Sequence, residues 1–160
     1  MEPLLKKLYS LWEANRPFVC YKLPSSAEVT LFFQKDAKLN LTKDLNCNGF
    51  LMAPFDLEKP IPFIPNQYAE SHTIQKIKVK SDEHVVRSLD LKNKSTFTDL
   101  VVKGKEFIAK GKLKKVVLSQ AHQLASKRNA VEIFMDLILY YPSAMVYLWH
   151  HPSVGTWFGA

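Results

Sequence analysis

Apolar positions in the first half of the chain predict one amphipathic helix followed by short strands. In residues 3–14 the apolar side chains recur at spacings of three, four and seven, and Pro3 suits a first helical turn. Short runs rich in β-branched and aromatic residues then predict strands over residues 18–22, 29–34 and 50–54. Three prolines in residues 60–66 predict an edge strand or an extended loop, because proline cannot donate to a ladder.

The pattern changes in the middle of the chain. Lysines alternate with Ile77 and Val79 over residues 75–80, which is typical of a half-buried strand with a solvated face. Residues 81–94 are mostly polar and are interpreted as a linker.

Helical and strand patterns alternate after residue 94. A helix is predicted to start at Thr96, with one apolar face and lysines near its end. Residues 114–121 then predict a strand. A second helix over residues 130–141 has Asn129 and Glu132 in capping-box positions, and Pro142 ends it. Residues 144–149 and 156–160 predict two strands joined by a turn.

Neighbouring strands without intervening helices favour antiparallel pairing. The sequence therefore predicts an α+β fold, a mainly antiparallel sheet with helices packed outside.

Composition narrows the protein class. The chain has 160 residues, of which 47% are hydrophobic and 23% charged, as in ordinary globular proteins. No run approaches the about 20 apolar residues of a membrane span, and no signal peptide is recognisable. Cys20 and Cys47 are too few for a disulfide framework. We expect a cytoplasmic protein with reduced cysteines and no membrane partner.

The net charge of +7 raises the question of nucleic-acid binding. Only Arg16, Arg87 and Arg128 are arginines, and the remaining basic residues are scattered lysines. Arginine is the preferred side chain for bidentate contacts to bases and phosphates. We therefore expect no nucleic-acid partner, and a non-catalytic basic binding module remains an alternative.

A motif series appears in the last two-fifths of the chain. The sequence Lys114-Lys115-Val116-Val117-Leu118-Ser119 follows a predicted helix; a second helix, Tyr141-Pro142, an aromatic strand and Phe158-Gly159-Ala160 come next. This series resembles the opening of the chorismate-utilising domain of isochorismate synthases, salicylate synthases and the large subunits of anthranilate and aminodeoxychorismate synthases. The resemblance divides the chain into a variable strand-rich region, residues 1–94, and the start of a chorismate-binding domain, residues 95–160.

The resemblance assigns a role to Lys115. Isochorismate and salicylate synthases carry a lysine before the Val-Val/Ile-Leu run, and it activates water; the anthranilate and aminodeoxychorismate enzymes carry glutamine there. Gln120 departs from the arginine that the family often has after the serine. Gly159 and Ala160 are candidate substrate-binding residues. Taken without the resemblance, Lys115 is a surface lysine at the start of a strand, and Gly159 is as readily a glycine at a sheet crossing.

The resemblance implies an isochorismate synthase that isomerises chorismate with Mg²⁺, for menaquinone or siderophore synthesis. Water attacks C2 of the ring while the C4 hydroxyl leaves, which requires a base and an acid. In the family, Thr or Ser and then Pro-Glu follow Gly-Ala and supply the acid, and the Mg²⁺ ligands lie further on. We therefore expect a truncated, inactive chain with no metal ligands of its own. A salicylate synthase is the alternative within the family.

The remaining histidines and aromatic residues predict structure more than chemistry. His150 and His151 are adjacent on a predicted strand and should point to opposite faces, so we expect no metal site there. The aromatic residues between Tyr140 and Phe158 are interpreted as core and sheet packing.

Overall fold

The computed structural model describes residues 2–56, 58–73, 94–123 and 125–160. These residues form three helices and eight strands. In chain order they are α1 (Glu2–Glu13), β1 (Phe18–Lys22), β2 (Glu28–Phe33), β3 (Asn40–Thr42), β4 (Gly49–Leu51), β5 (Ile61–Pro65), β6 (Ala69–Thr73), α2 (Lys94–Ala109), α3 (Ala130–Tyr140), β7 (Val146–His151) and β8 (Gly155–Gly159). All the strand pairs are antiparallel, so the predicted α+β class is confirmed.

The chain divides into two compact units. The first unit comprises Met1–Lys80 with Lys127–Ala160, and the second comprises Ser81–Ser126. The first unit joins strands from both sequence regions, because β7 pairs with β1. The functional division at residue 94 remains a prediction.

A five-stranded sheet in the order β6-β2-β1-β7-β8 organises the first unit. Helices α1 and α3 cover one face of this sheet, as predicted for helices packed outside. The apolar side chains of both helices meet those of the three central strands in one core. Its fully buried members include Leu4, Leu8, Phe18, Leu31, Val131, Phe134, Val146 and Leu148. Because β1 has buried neighbours on both sides, four of its five residues are buried.

A second, three-stranded sheet packs on the opposite face. Val19 and Trp149 from the large sheet meet Ile64 from β5, and Tyr21, Phe32, Phe50 and Tyr147 surround them. The strand order is β3-β5-β4, so the proline-rich strand is central and the predicted edge position is wrong. Proline keeps its carbonyl, and Pro62 O accepts from Met52 N at 2.9 Å. The neighbours share the strand between them, β3 along its first half and β4 along its second.

Most predicted elements are confirmed, and two outcomes differ. Helix α3 has the predicted capping box, in which Glu132 N donates to Asn129 Oδ1 at 3.0 Å and Asn129 N donates to Glu132 Oε2 at 3.1 Å. Residues 114–121 are not a strand. Helix α2 begins at Lys94, before the predicted cap at Thr96. The strand predicted over residues 75–80 and nearly all of the predicted linker lie outside the described residues. Among those described, no helix is both long and apolar enough to cross a membrane.

Candidate functional site

The segment that carries Lys115 is positioned by the end of α2. Gly111 has a φ of 69°, which glycine adopts without strain. Gly111 N donates to Ile108 O and Lys112 N donates to Phe107 O, both at 2.9 Å, which is the Schellman pattern. The Lys112 ammonium lies 5.4 Å from the centre of the Phe107 ring. This turn reverses the chain and sends the next residues back over the helix.

The reversed segment crosses α2 at Gly104. A Cβ at Gly104 would lie 3.2 Å from Val116 Cγ1 and 3.7 Å from Leu118 Cδ1. The missing side chain therefore lets the segment approach the helix closely. Gly104 is buried, whereas Val117 is 80% exposed. The segment thus alternates as an extended chain does, with Val116 and Leu118 toward α2.

Lys115 is on the outward side of this extended segment. Its side chain is exposed, as are Val117 and Ser119, so the three predicted to share one face do so. Lys114 is exposed as well, so exposure alone does not distinguish the two lysines. The strand prediction fails because a strand requires a hydrogen-bonded neighbour, and no described residue pairs with this segment.

Positive charge is concentrated around this segment. Residues 94–123 contain seven lysines but only two acidic residues, Asp99 and Glu106, which leaves an excess of five positive charges. Glu106 pairs with Lys110 at 3.9 Å in an exposed position, where an ion pair contributes little. In the part of the chain that the structure describes, no three His, Cys, Asp or Glu side chains come together as metal ligands. The described residues therefore do not fit an Mg²⁺ site.

The two other candidate residues lie in the first unit. Gly159 pairs with Tyr147 across the β7–β8 hairpin. A Cβ at Gly159 would lie 3.1 Å from Tyr147 Cε1 and 3.3 Å from the Tyr147 hydroxyl. The glycine therefore makes room for a tyrosine ring, which favours a packing role. Ala160 follows the strand and is exposed.

Both adjacent histidines are buried, and both are held by protein groups. His150 Nε2 lies 3.0 Å from Asn15 Oδ1, which can only accept, so Nε2 carries the proton. His150 Nδ1 then accepts from the Thr156 hydroxyl at 2.8 Å. Burial lowers the pKa of His150, and the neighbouring His151 lowers it further. His151 Nδ1 accepts from Ser153 N at 3.1 Å. These contacts indicate neutral, structural imidazoles.

Lys22 is a buried cation that sequence reasoning missed. Its side chain is 2% exposed, and Nζ donates to the carbonyls of Pro142 at 2.8 Å, Ala144 at 3.1 Å and Leu23 at 3.2 Å. Burial lowers the pKa of Lys22. Two of these carbonyls belong to the connection between α3 and β7. Lys22 therefore fixes that connection, and its only sequence signal is its place at the end of a buried strand.

A polar cavity of about 180 Å³ lies beside the end of β2. The buried Gln34 organises its wall, donating from Nε2 to Lys38 O at 2.9 Å and to Asp36 Oδ1 at 3.2 Å. Gln34 Oε1 accepts from Asn40 at 3.1 Å. Both amide hydrogens of Gln34 are therefore engaged within the wall, and the cavity presents no unpaired buried donor from this residue.

Comparison of the chain with protein-family models, with curated proteins and with solved structures found no match.

Proposed function

We propose that this chain is the N-terminal part of an isochorismate synthase that isomerises chorismate to isochorismate. The observation that carries the proposal is Lys115, which stands directly before Val116-Val117-Leu118-Ser119. The order of elements around it supports the assignment. Helix α2 precedes this segment, α3 follows it, and the β7–β8 hairpin comes next and ends on Phe158-Gly159-Ala160.

The position of Lys115 is compatible with the role of a base. Its side chain lies on the outward side of an extended segment and is accessible to a water molecule. The proposed step is proton transfer from water to the neutral amine while the oxygen forms a bond to C2. The bond between C4 and its hydroxyl breaks at the same time, and that hydroxyl takes a proton from an acid. The product is thus an isomer of the substrate.

The proposal assigns the acid and the Mg²⁺ ligands to residues after Ala160. The 160 residues alone are therefore expected to be inactive. Salicylate synthase is the alternative within the family, since it shares the lysine and also eliminates pyruvate.

The experiment compares two proteins, the 160 residues and the longer product of the same gene. Each is incubated with chorismate and Mg²⁺, and the products are separated by chromatography. We expect isochorismate from the longer protein, salicylate if the alternative is right, and no product from the shorter one. A longer protein that leaves chorismate unchanged, or a coding sequence without Thr or Ser and then Pro-Glu after Ala160, contradicts the proposal.

A second candidate function is a non-catalytic basic binding module. The excess of five positive charges in residues 94–123 favours it. Such a module predicts binding to nucleic acid that weakens steeply as salt is added, because counterions are released. Titration of the chain with DNA at two salt concentrations tests this candidate, and titration with chorismate in parallel tests the enzyme.

A further inference from the structure

The two edges of the five-stranded sheet differ in charge. At one edge, β6 carries Glu70 and His72, whose side chains lie 3.2 Å apart, and Lys7 lies 3.4 Å from Glu70. Charged side chains on an edge strand discourage pairing with another chain. The other edge, β8, consists of Gly155, Thr156, Trp157, Phe158 and Gly159 and has no charged residue. Within the described ranges, β8 pairs only with β7.

The uncharged edge also exposes two aromatic side chains. Trp157 is 55% exposed and Phe158 is 41% exposed. Trp157 lies opposite Trp149, so it is on the face that carries the small sheet, whereas Phe158 lies opposite Leu148 on the helical face. An incoming strand would therefore cover one aromatic ring on each face while it pairs with the free backbone of β8.

We propose that β8 pairs with the β8 strand of a second copy of this chain. The two strands run antiparallel around a two-fold axis, with Trp157 opposite the partner's Trp157. Thr156 then lies opposite the partner's Phe158, and a glycine faces a glycine at each end. The two five-stranded sheets become one sheet of ten strands. Such an interface is closed by symmetry and does not propagate into fibres.

The strand itself indicates a second copy as its occupant. Because β8 has no charge, two copies meet without like-charge repulsion at the contact. The net charge of +7 on each chain still opposes association over longer distances. Added salt screens that repulsion and should strengthen the dimer. Nucleic-acid binding has the opposite salt dependence, so the two behaviours are distinguishable.

The small contact area predicts a weak dimer. Fully buried aromatic side chains each cover about 150–250 Å². Four half-exposed rings with one pair of short strands therefore stay below the about 1,200 Å² of stable interfaces. We expect a dissociation constant on the order of 100 µM and rapid exchange. The pairing depends on β8 alone and does not require Lys115 to be a catalytic base.

Sedimentation equilibrium of the 160-residue chain, over concentrations that span this constant and at two salt concentrations, tests the inference. The wild-type chain should dimerise, more strongly at higher salt. Trp157→Lys places two cations on the symmetry axis and should leave a monomer. Trp157→Thr keeps a strand-forming residue, and it should weaken the dimer at least tenfold even if the lysine variant misfolds. Ser71→Lys places the same lysine at the centre of β6 and should dimerise as the wild type does.

A covalent experiment tests the register. In a Cys47→Ser background, Trp157→Cys should form a disulfide-linked dimer under mild oxidation, because directly paired strand residues have Cα atoms close enough for a disulfide. Gly155→Cys should not link to itself, since the pairing places it opposite the partner's Gly159. A wild-type monomer at all concentrations and both salts overturns the inference. Equal loss of association in Ser71→Lys and Trp157→Lys, or equal cross-linking at residues 155 and 157, also overturns it.

Discussion

His150 Nε2 donates a hydrogen bond to Asn15 Oδ1 at 3.0 Å, across a separation of 135 residues. Asn15 follows α1 in a left-handed conformation with φ of 50°, which asparagine tolerates better than most residues. The His150 ring also lies 4.9 Å from the ring of Trp12 in the last turn of α1. One imidazole therefore joins the end of the first helix to the strand that carries the second half of the sheet.

The first prediction is that His150 makes the stability of the fold depend on pH. Burial and the neighbouring His151 lower the pKa of His150 below the about 6.5 of an unfolded chain. The folded state therefore binds this proton less readily than the unfolded state does. The stabilising contribution is fully present above about pH 6.5 and is lost as the pH falls below that value. Urea denaturation between pH 5 and pH 8 measures it.

The control for this prediction is His150→Gln, which keeps a polar side chain of similar length. The variant should be less stable than the wild type at pH 8, and its free energy of unfolding should fall less between pH 7 and pH 5. Equal pH dependence in the two proteins would mean that another group is responsible.

The second prediction concerns Lys22. Lys22→Met keeps the length and the apolar stem but leaves the carbonyls of Pro142 and Ala144 without their buried donor. A buried acceptor left without a partner costs about 1–3 kcal/mol, and we expect a loss of stability of that size. Lys6→Met is the matched control, because the Lys6 ammonium pairs with Glu2 on the surface. Chemical denaturation that gives the same small change for both variants would contradict the role of Lys22.

The third prediction separates the two interpretations of Gly159. If Gly159 serves to accommodate the Tyr147 ring, Gly159→Ala should destabilise the fold by about 1 kcal/mol, as overpacking does. In a Tyr147→Ala background the same change should cost much less. A double-mutant cycle by thermal or urea denaturation measures this coupling. Additive effects would leave the substrate-binding interpretation of Gly159 as the better one.

Local signals in the sequence predicted much of the fold. The range of β1 and the capping box of α3 were predicted because they depend on neighbouring residues. The position of β5 was not, because the proline rule concerns the missing N–H, and the short neighbours of β5 leave room for it. Residues 114–121 have a strand pattern, but a strand also needs a partner, which a local pattern does not reveal.

The buried polar groups mark a second limit of sequence reasoning. Lys22 and His150 are held by residues more than a hundred positions away. Neither a spacing nor a motif connects such residues, so only the fold shows that they are buried. For Lys115, the sequence predicted which residues share its face, whereas the role of a base remains a prediction from the resemblance.

The last prediction concerns Lys115 in the full-length gene product. Lys115→Gln removes the proposed base but keeps a polar side chain of comparable length, which is also the residue that the anthranilate and aminodeoxychorismate enzymes carry. General-base catalysis typically contributes about 10²–10⁴-fold, so turnover of chorismate should fall by at least 100-fold. Chorismate affinity should change only a few-fold, because the proposed base acts on water. Initial rates and equilibrium binding, measured separately, distinguish the two effects.

Lys114→Gln is the matched control, because the two lysines are adjacent, equally basic and both exposed. The same substitution at residue 114 should leave turnover within a few-fold of wild type, since residues 115, 117 and 119 form the outward side and residues 116 and 118 contact α2. A loss of general positive charge would affect both variants alike, whereas loss of a base affects only Lys115→Gln. If Lys114→Gln is the inactive variant, or if neither loses more than a few-fold, Lys115 is not the base. In that case the positive charge of residues 94–123 favours the binding-module function instead.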